Sequence, residues 1–446
     1  MVPDIPFTRR NLLVGTGVGL GVGSLGTGLY APTWLPDPVT DALLSIYPEP
    51  PAHAWRPAMS DAHADKAVAL LEETVQRATA LRRRVDVGSL PEDLAFHLDR
   101  SDPSGGWLQS ARDESDPWER LFAATYGMQF AGEAVGYAKV ALDETDPEAL
   151  VERGDRLRTA ADGVLDSLGN YRISDPARDL AHLWFAEREL SLARLDSHRS
   201  GTYTGGADDP DEYSERDVAA TWGSHVQAEQ RLRNARYHRD LYRENLGDGA
   251  RPHANALDDA LVALTDAVNE FPTRDELRRK IDEELELAQE TPYGAARWEL
   301  LTLCYDDSFR FGFEEGGYRR GHTVQRVVEV ARALLARRAH AFALSELGVS
   351  PDDADYDSGR AFREKRRAVR TFRAVRAEHD SPLAGVLAQE ASDRIRAGDV
   401  GVGSGRSRED GPAWRDRVEA ATYYLVGTGQ MRELGGVLGA ILGGSQ

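Results

Sequence analysis

Apolar positions along most of the chain recur at three and four residues, the spacing that puts side chains on one face of an α-helix. Val68, Leu71, Val75, Ala78, Leu81 and Val85 form one such face, and Val324, Val327, Val328, Ala331, Leu334 and Leu335 another. No stretch sustains the two-residue alternation of a half-buried strand. Helix starts are marked by a capping residue before a proline suited to the first turn: Asp116-Pro117, Asp146-Pro147, Asp175-Pro176, Ser350-Pro351 and Ser381-Pro382. The spacing of the first three leaves room for helices of about 24 residues with short turns, longer than the helices of tetratricopeptide arrays. The predicted fold is all-α, a multi-helix bundle of long antiparallel helices.

The chain of 446 residues is too long for one small core. Four segments follow from composition: residues 1–31, a Pro-rich tether over 32–59, and two helical-bundle halves over 60–250 and 251–446. Residues 200–211 read as a loop and the Gly/Ser-rich stretch 398–412 as a linker. The latter lacks the preceding strand and following Lys-Ser/Thr of a phosphate-binding loop.

Thr8-Arg9-Arg10-Asn11-Leu12-Leu13, followed by a charge-free, Gly-rich run to Tyr30, resembles a twin-arginine signal peptide. The resemblance covers residues 8–30 and implies export of the folded chain, with Arg9 and Arg10 read by the export machinery. Residues 11–30 are also long enough to span a bilayer, so the segment is either a cleaved signal or a membrane anchor. In both cases the body is expected to be extracytoplasmic, anchored or secreted.

Charge sharpens this picture. Acidic residues number 74 against 54 basic ones, a net charge of −20. Only four of the basic residues are lysine: Lys66, Lys139, Lys280 and Lys365. Such a surface suits a salt-adapted organism, because at about 1 M salt the screening length falls to roughly 3 Å. The single cysteine, Cys304, lies among Leu300, Leu301, Leu303 and Tyr305 and reads as a buried structural thiol.

Candidate chemistry is sparse. Trp118-Glu119 and Leu121 echo Trp298-Glu299 and Leu301. Further on, Phe130, Glu133, Gly136 and Tyr137 echo Phe311, Glu314, Gly317 and Tyr318. Either the two halves are duplicated or the identities are coincidental. Duplication predicts interior helices over 118–142 and 294–313, with Phe130 and Phe311 buried and Glu133 and Glu314 partly so. The two glutamates, with Tyr137, Tyr318 and His322, would then form a ligand- or metal-binding site. The simpler alternative is that Gly127, Gly132 and Gly136 only permit close helix contact. His225 and Glu229, one turn apart, are too few to hold a metal alone. The basic helix face Arg363, Arg366, Arg370 and Arg373 is expected to pair with acids in 275–290. No nucleic acid is expected, since molar salt removes the counterion-release drive for phosphate binding.

No cofactor can be named, and no catalytic constellation can be assembled. The reading is a ligand- or partner-binding helical bundle. An enzyme with an interhelical, metal-dependent site and a structural envelope component are the alternatives.

Overall fold

The computed structural model describes residues 36–100, 106–169, 171–199, 209–284, 290–305, 321–403 and 412–443. The signal residues Arg9 and Arg10, the run 11–30, and Phe311, Glu314 and Tyr318 lie outside them.

The fold is all-α. After α1 (Asp37–Ile46) come α2 (Asp61–Arg82), α3 (Glu92–Arg100), α4 (Gly106–Asp113), α5 (Pro117–Ala141), α6 (Pro147–Asp166), α7 (Pro176–Leu195) and α8 (Glu215–Asn245). The second half holds α9 (Ala254–Asn269), α10 (Arg274–Glu284), α11 (Pro292–Cys304), α12 (Thr323–Glu346), α13 (Ser358–Glu378), α14 (Pro382–Gly403) and α15 (Ala413–Gly443). A two-stranded antiparallel pairing, Arg172 with Pro252 and Ile173 with Arg251, joins the turn after α6 to the segment after α8.

The capping carboxylates act as the sequence implies. Asp116 accepts from the Trp118 and Glu119 amides, Asp146 from Ala149 and Asp175 from Ala177. Each satisfies donors that the first helical turn leaves unpaired. Ser350-Pro351 is an exception. It forms a turn in which the Asp353 carboxylate accepts from the Ser350 amide at 3.0 Å, and α13 starts later, capped by Asp357.

Helix α5 is the axis of the first half, enclosed by α2, α4 and α8; α15 is the axis of the second, enclosed by α12, α13 and α14. The α5–α8 crossing is close because small residues meet there. A Cβ on Gly132 would lie 2.7 Å from Gly223 Cα, and one on Gly136 2.4 Å from Ala219 Cα. Helix α7 packs on α8 on one side and on α12 and α14 on the other, so it belongs to both halves. One core runs from Leu180, Leu183 and Leu190 of α7 into Val328, Leu334, Leu425 and Leu434. A second, around Leu71, Leu121 and Met128, is confined to α2, α4 and α5 with Val226 of α8.

Two sequence expectations need correction. Gly398, read as linker, lies within α14, where a Cβ would meet Tyr424 Cε1 at 2.7 Å. The glycine is there for helix packing. Of the Pro-rich stretch, residues 36–59 are not a free tether but a strap across both halves. Helix α1 buries Thr40, Leu43 and Leu44, with Asp37 and Asp41 paired to Arg417 at 2.5 and 3.2 Å. The chain then runs along α14. Prolines remove backbone donors, leaving carbonyls to be satisfied: Pro51 O accepts from Ser392 at 2.5 Å and Ala52 O from Gln389 at 2.8 Å. Trp55 fills the space above Gly385. Finally Pro57 O accepts from the Trp118 indole at 2.8 Å and Ala58 O from Tyr237 at 3.2 Å, on α5 and α8 of the first half.

Candidate functional site

Trp222 of α8 is half-buried in a cleft between α2, α5, α6 and α8. Three cations stand around its indole: Arg153 at 4.6 Å, Arg77 at 4.9 Å and Lys139 at 5.4 Å from the ring centroid. Each helix supplies its cation by register. Val135 and Lys139 are one turn apart on α5, Glu73 and Arg77 one turn apart on α2, and Trp222, Val226 and Glu229 follow one face of α8. Leu70, Thr74, Val135 and Val226 complete the lining of a cavity of about 290 Å³.

The charge in the cleft is not balanced internally. Arg153 pairs with Glu229 at 2.8 Å, yet its Nη1 is buried with no hydrogen-bond acceptor. Among the described residues Arg77 has no carboxylate partner, and Lys139 donates only to the Glu144 carbonyl, at 3.4 Å. Behind the cleft, His225 is fully buried. Burial and the charge of Arg153 push its imidazole down to about 3, so the neutral ring donates from Nε2 to Ser197 O at 3.1 Å. His225 and Glu229 therefore turn to different partners.

Of the other residues singled out from sequence, those that are described fall elsewhere. Glu133 and Tyr137 flank the α5–α8 crossing, Glu133 with its side chain against Gly223. Gln129 donates to Glu133 at 3.2 Å. Burial raises the Glu133 carboxyl against the opposing pull of that bond and of Arg216, and burial and Glu133 together raise Tyr137. His322 is the buried N-cap residue of α12, in the second half, next to Gly321, whose carbonyl accepts from Tyr171 at 2.8 Å. No metal-holding group of three or more His, Cys, Asp or Glu occurs among the described residues. Phe130 is not buried: it is 41% exposed. The echoing tryptophans differ too, Trp118 bonding the strap while Trp298 lines a cavity of about 180 Å³ with Glu299, Arg415 and Glu419. Cys304 is buried, which pushes its thiol up.

The basic face of α13 does not meet the acids of α10 among the described residues. On that face Arg363 pairs with Glu364 at 2.9 Å; elsewhere on α13 Arg360 pairs with Asp357 at 3.1 Å and Arg367 with Glu346 at the end of α12 at 2.6 Å. Helix α10 packs on α11 instead, which carries it away from α13. Arg370 and Arg373 are exposed and Arg366 lies half-buried over Phe362.

Sequence reasoning missed the Trp222 cleft because its cations come from three helices far apart in the chain. The available signal was Lys139, one of four lysines in an Arg-rich chain. Among the described residues no helix is long and apolar enough to cross a membrane. No curated protein and no solved structure matches the chain. Residues 62–248 match the model of one domain of unknown function (DUF8262), and residues 254–443 that of another (DUF8264).

Proposed function

We propose that this is an exported, salt-adapted ligand-binding protein whose cleft around Trp222 takes a small organic anion. The observation that carries the reading is the convergence of Arg77, Lys139 and Arg153 on one indole in a chain of net charge −20. A carboxylate or phosphoryl oxygen is the acceptor that the buried, unpaired Arg153 Nη1 lacks. The half-buried position of the guanidinium raises the strength of such a contact above that of a surface ion pair, which molar salt screens. Leu70, Val135 and Val226 offer the apolar wall that a purely inorganic anion would not use. Export rests on the resemblance of residues 8–30 to a twin-arginine signal, and fractionation of an Arg9→Lys/Arg10→Lys variant tests it.

Trp222 itself reports occupancy. Titration with carboxylates and phosphate esters in about 1 M KCl should give a saturable fluorescence change that is absent from Trp222→Phe. Arg153→Met should weaken binding about ten- to hundred-fold with the helical circular dichroism unchanged. A response that is linear in every anion, or is unaffected by Arg153→Met, overturns the reading.

A further inference from the structure

All the exposed large aromatic side chains among the described residues belong to α3, α4 and α5. Four of them form one surface: Phe122 (61% exposed), Tyr126 (40%), Phe130 (41%) and Trp107 (37%). Phe122, Tyr126 and Phe130 lie at i, i+4 and i+8 and make a single ridge along α5. Their rings are in contact, Phe122 with Tyr126 at 6.0 Å and Tyr126 with Phe130 at 5.2 Å. Trp107 braces the ridge from α4, 4.6 Å from Tyr126 and within 3° of parallel to Phe130. Gly127 makes this possible, since a Cβ there would lie 2.8 Å from Trp107 Cβ. The surroundings carry unusually little charge for this chain. Nothing between Arg120 and Glu133 is charged, nor is any residue from Gly106 to Ala111, whereas 29% of the whole chain is charged.

We propose that this ridge is the contact between two copies of the chain, related by a twofold axis at Tyr126. The order Phe-Tyr-Phe reads the same in both directions, so antiparallel docking sets Phe122 of each copy on Phe130 of the other and Tyr126 on Tyr126. That is the self-complementarity an isologous interface requires. When two helices cross at about −50° their ridges of residues four apart run alongside one another, so the three rings of each copy can meet along the length of the ridge. The aromatic surface offered is on the order of 400 Å² per copy, taking about 200 Å² per side chain. A standard interface buries about 800 Å² per partner, so the dimer is a weak one that forms with concentration. Its environment decides it further. Two bodies of net charge −20 repel at low ionic strength, whereas molar salt shortens the screening length to roughly 3 Å and leaves apolar contact intact.

Sedimentation equilibrium of the full chain in molar KCl should show the mass rising with concentration from 49.1 kDa towards twice that value. Lowering the salt should return it to the monomer. Tyr126→Asp should hold the monomer mass at every concentration with helical circular dichroism unchanged. Register is read separately by cross-linking. The native Cys304 is buried, so Tyr126→Cys adds the one accessible thiol, and with diamide as oxidant it should join copies into covalent dimers. Phe122→Cys and Phe130→Cys should each cross-link poorly alone and efficiently when mixed. Monomer mass throughout the concentration range overturns the proposal, as does a dimer that survives Tyr126→Asp. Equal cross-linking by all three single variants also overturns it, being the result of random collision.

Discussion

The carboxylate of Glu187 on α7 accepts the backbone amide of Gln325, in the first turn of α12, at 2.6 Å. A side chain of the first half thus satisfies a helix start of the second. Glu187 is fully buried, and its other oxygen lies 2.5 Å from the Tyr171 hydroxyl. That hydroxyl is also 2.8 Å from Gly321 O, so one phenolic proton faces two acceptors. A protonated Glu187 resolves the conflict by donating to Tyr171, which then donates to Gly321. Burial accordingly pushes Glu187 up to about 8, against the bonds from Tyr171 and the α12 amides.

The sign of the pH effect follows. Between the ordinary carboxyl range and about 8 the folded state holds a proton that the unfolded state has lost, so stability falls as pH rises through that window. The loss should amount to a few kcal/mol. Thermal melts from pH 4 to 9 at fixed salt read it. Glu187→Gln keeps an acceptor for Gln325 and a donor for Tyr171 and should flatten the slope; an unchanged slope assigns it to another group.

At the α5–α8 crossing, Gly136→Ala should cost about 1–3 kcal/mol, because the added methyl group meets backbone, Ala219 Cα at 2.4 Å. Gly163 on α6, with open space at its Cβ, should gain slightly on the same change. Denaturation midpoints of the two variants compare them directly.

Lys365 is buried, with its ammonium 2.8 Å from Asp399 and 2.7 Å from Leu44 O at the end of α1. Lys365→Met leaves the partly buried Asp399 without its cation and should cost about 3 kcal/mol. It should also open residues 36–59 to protease. Replacing both partners, Lys365→Met with Asp399→Leu, should recover part of the stability but not the hold on Leu44.

Lowering salt should reduce the melting temperature of the whole body, because the screening length grows from roughly 3 Å at 1 M to roughly 10 Å at 0.1 M while the excess of carboxylates is unchanged. Circular dichroism melts across salt concentrations decide this. A constant midpoint would mean that the acidic surface serves solubility alone.

Much of the architecture was legible in the sequence because helices announce themselves locally. The Asp-Pro caps at 116, 146 and 175 and the small residues Gly132 and Gly136 each act through neighbours a few positions away or through one facing helix. The strap was not legible. Dense proline describes an extended backbone equally well whether its carbonyls meet water or the side chains of α14, and nothing near residue 51 announces Ser392. Phe130 was misread because the echo between the two halves and the small residues around it pointed to an interior helix, whereas Gly132 and Gly136 set close contact on one face only. The i, i+4, i+8 ridge of Phe122, Tyr126 and Phe130 was present in the same residues as a separate signal. The Trp222 cleft needed three helices to be placed before it existed at all.

The strap also fixes an order of events. Asp37 closes on Arg417, 380 residues away in sequence, and α1 rests against a helix starting at Ser358. Contacts of such separation carry the largest closure entropy and form after local ones. Helix α1 therefore has nowhere to dock until the helices from Ser358 onward have been synthesised and assembled. Among the described residues α1 is thus the last element expected to settle, which makes its docking a readout of a completed fold; pulse-labelled hydrogen exchange should show α1 gaining protection after α14 and α15.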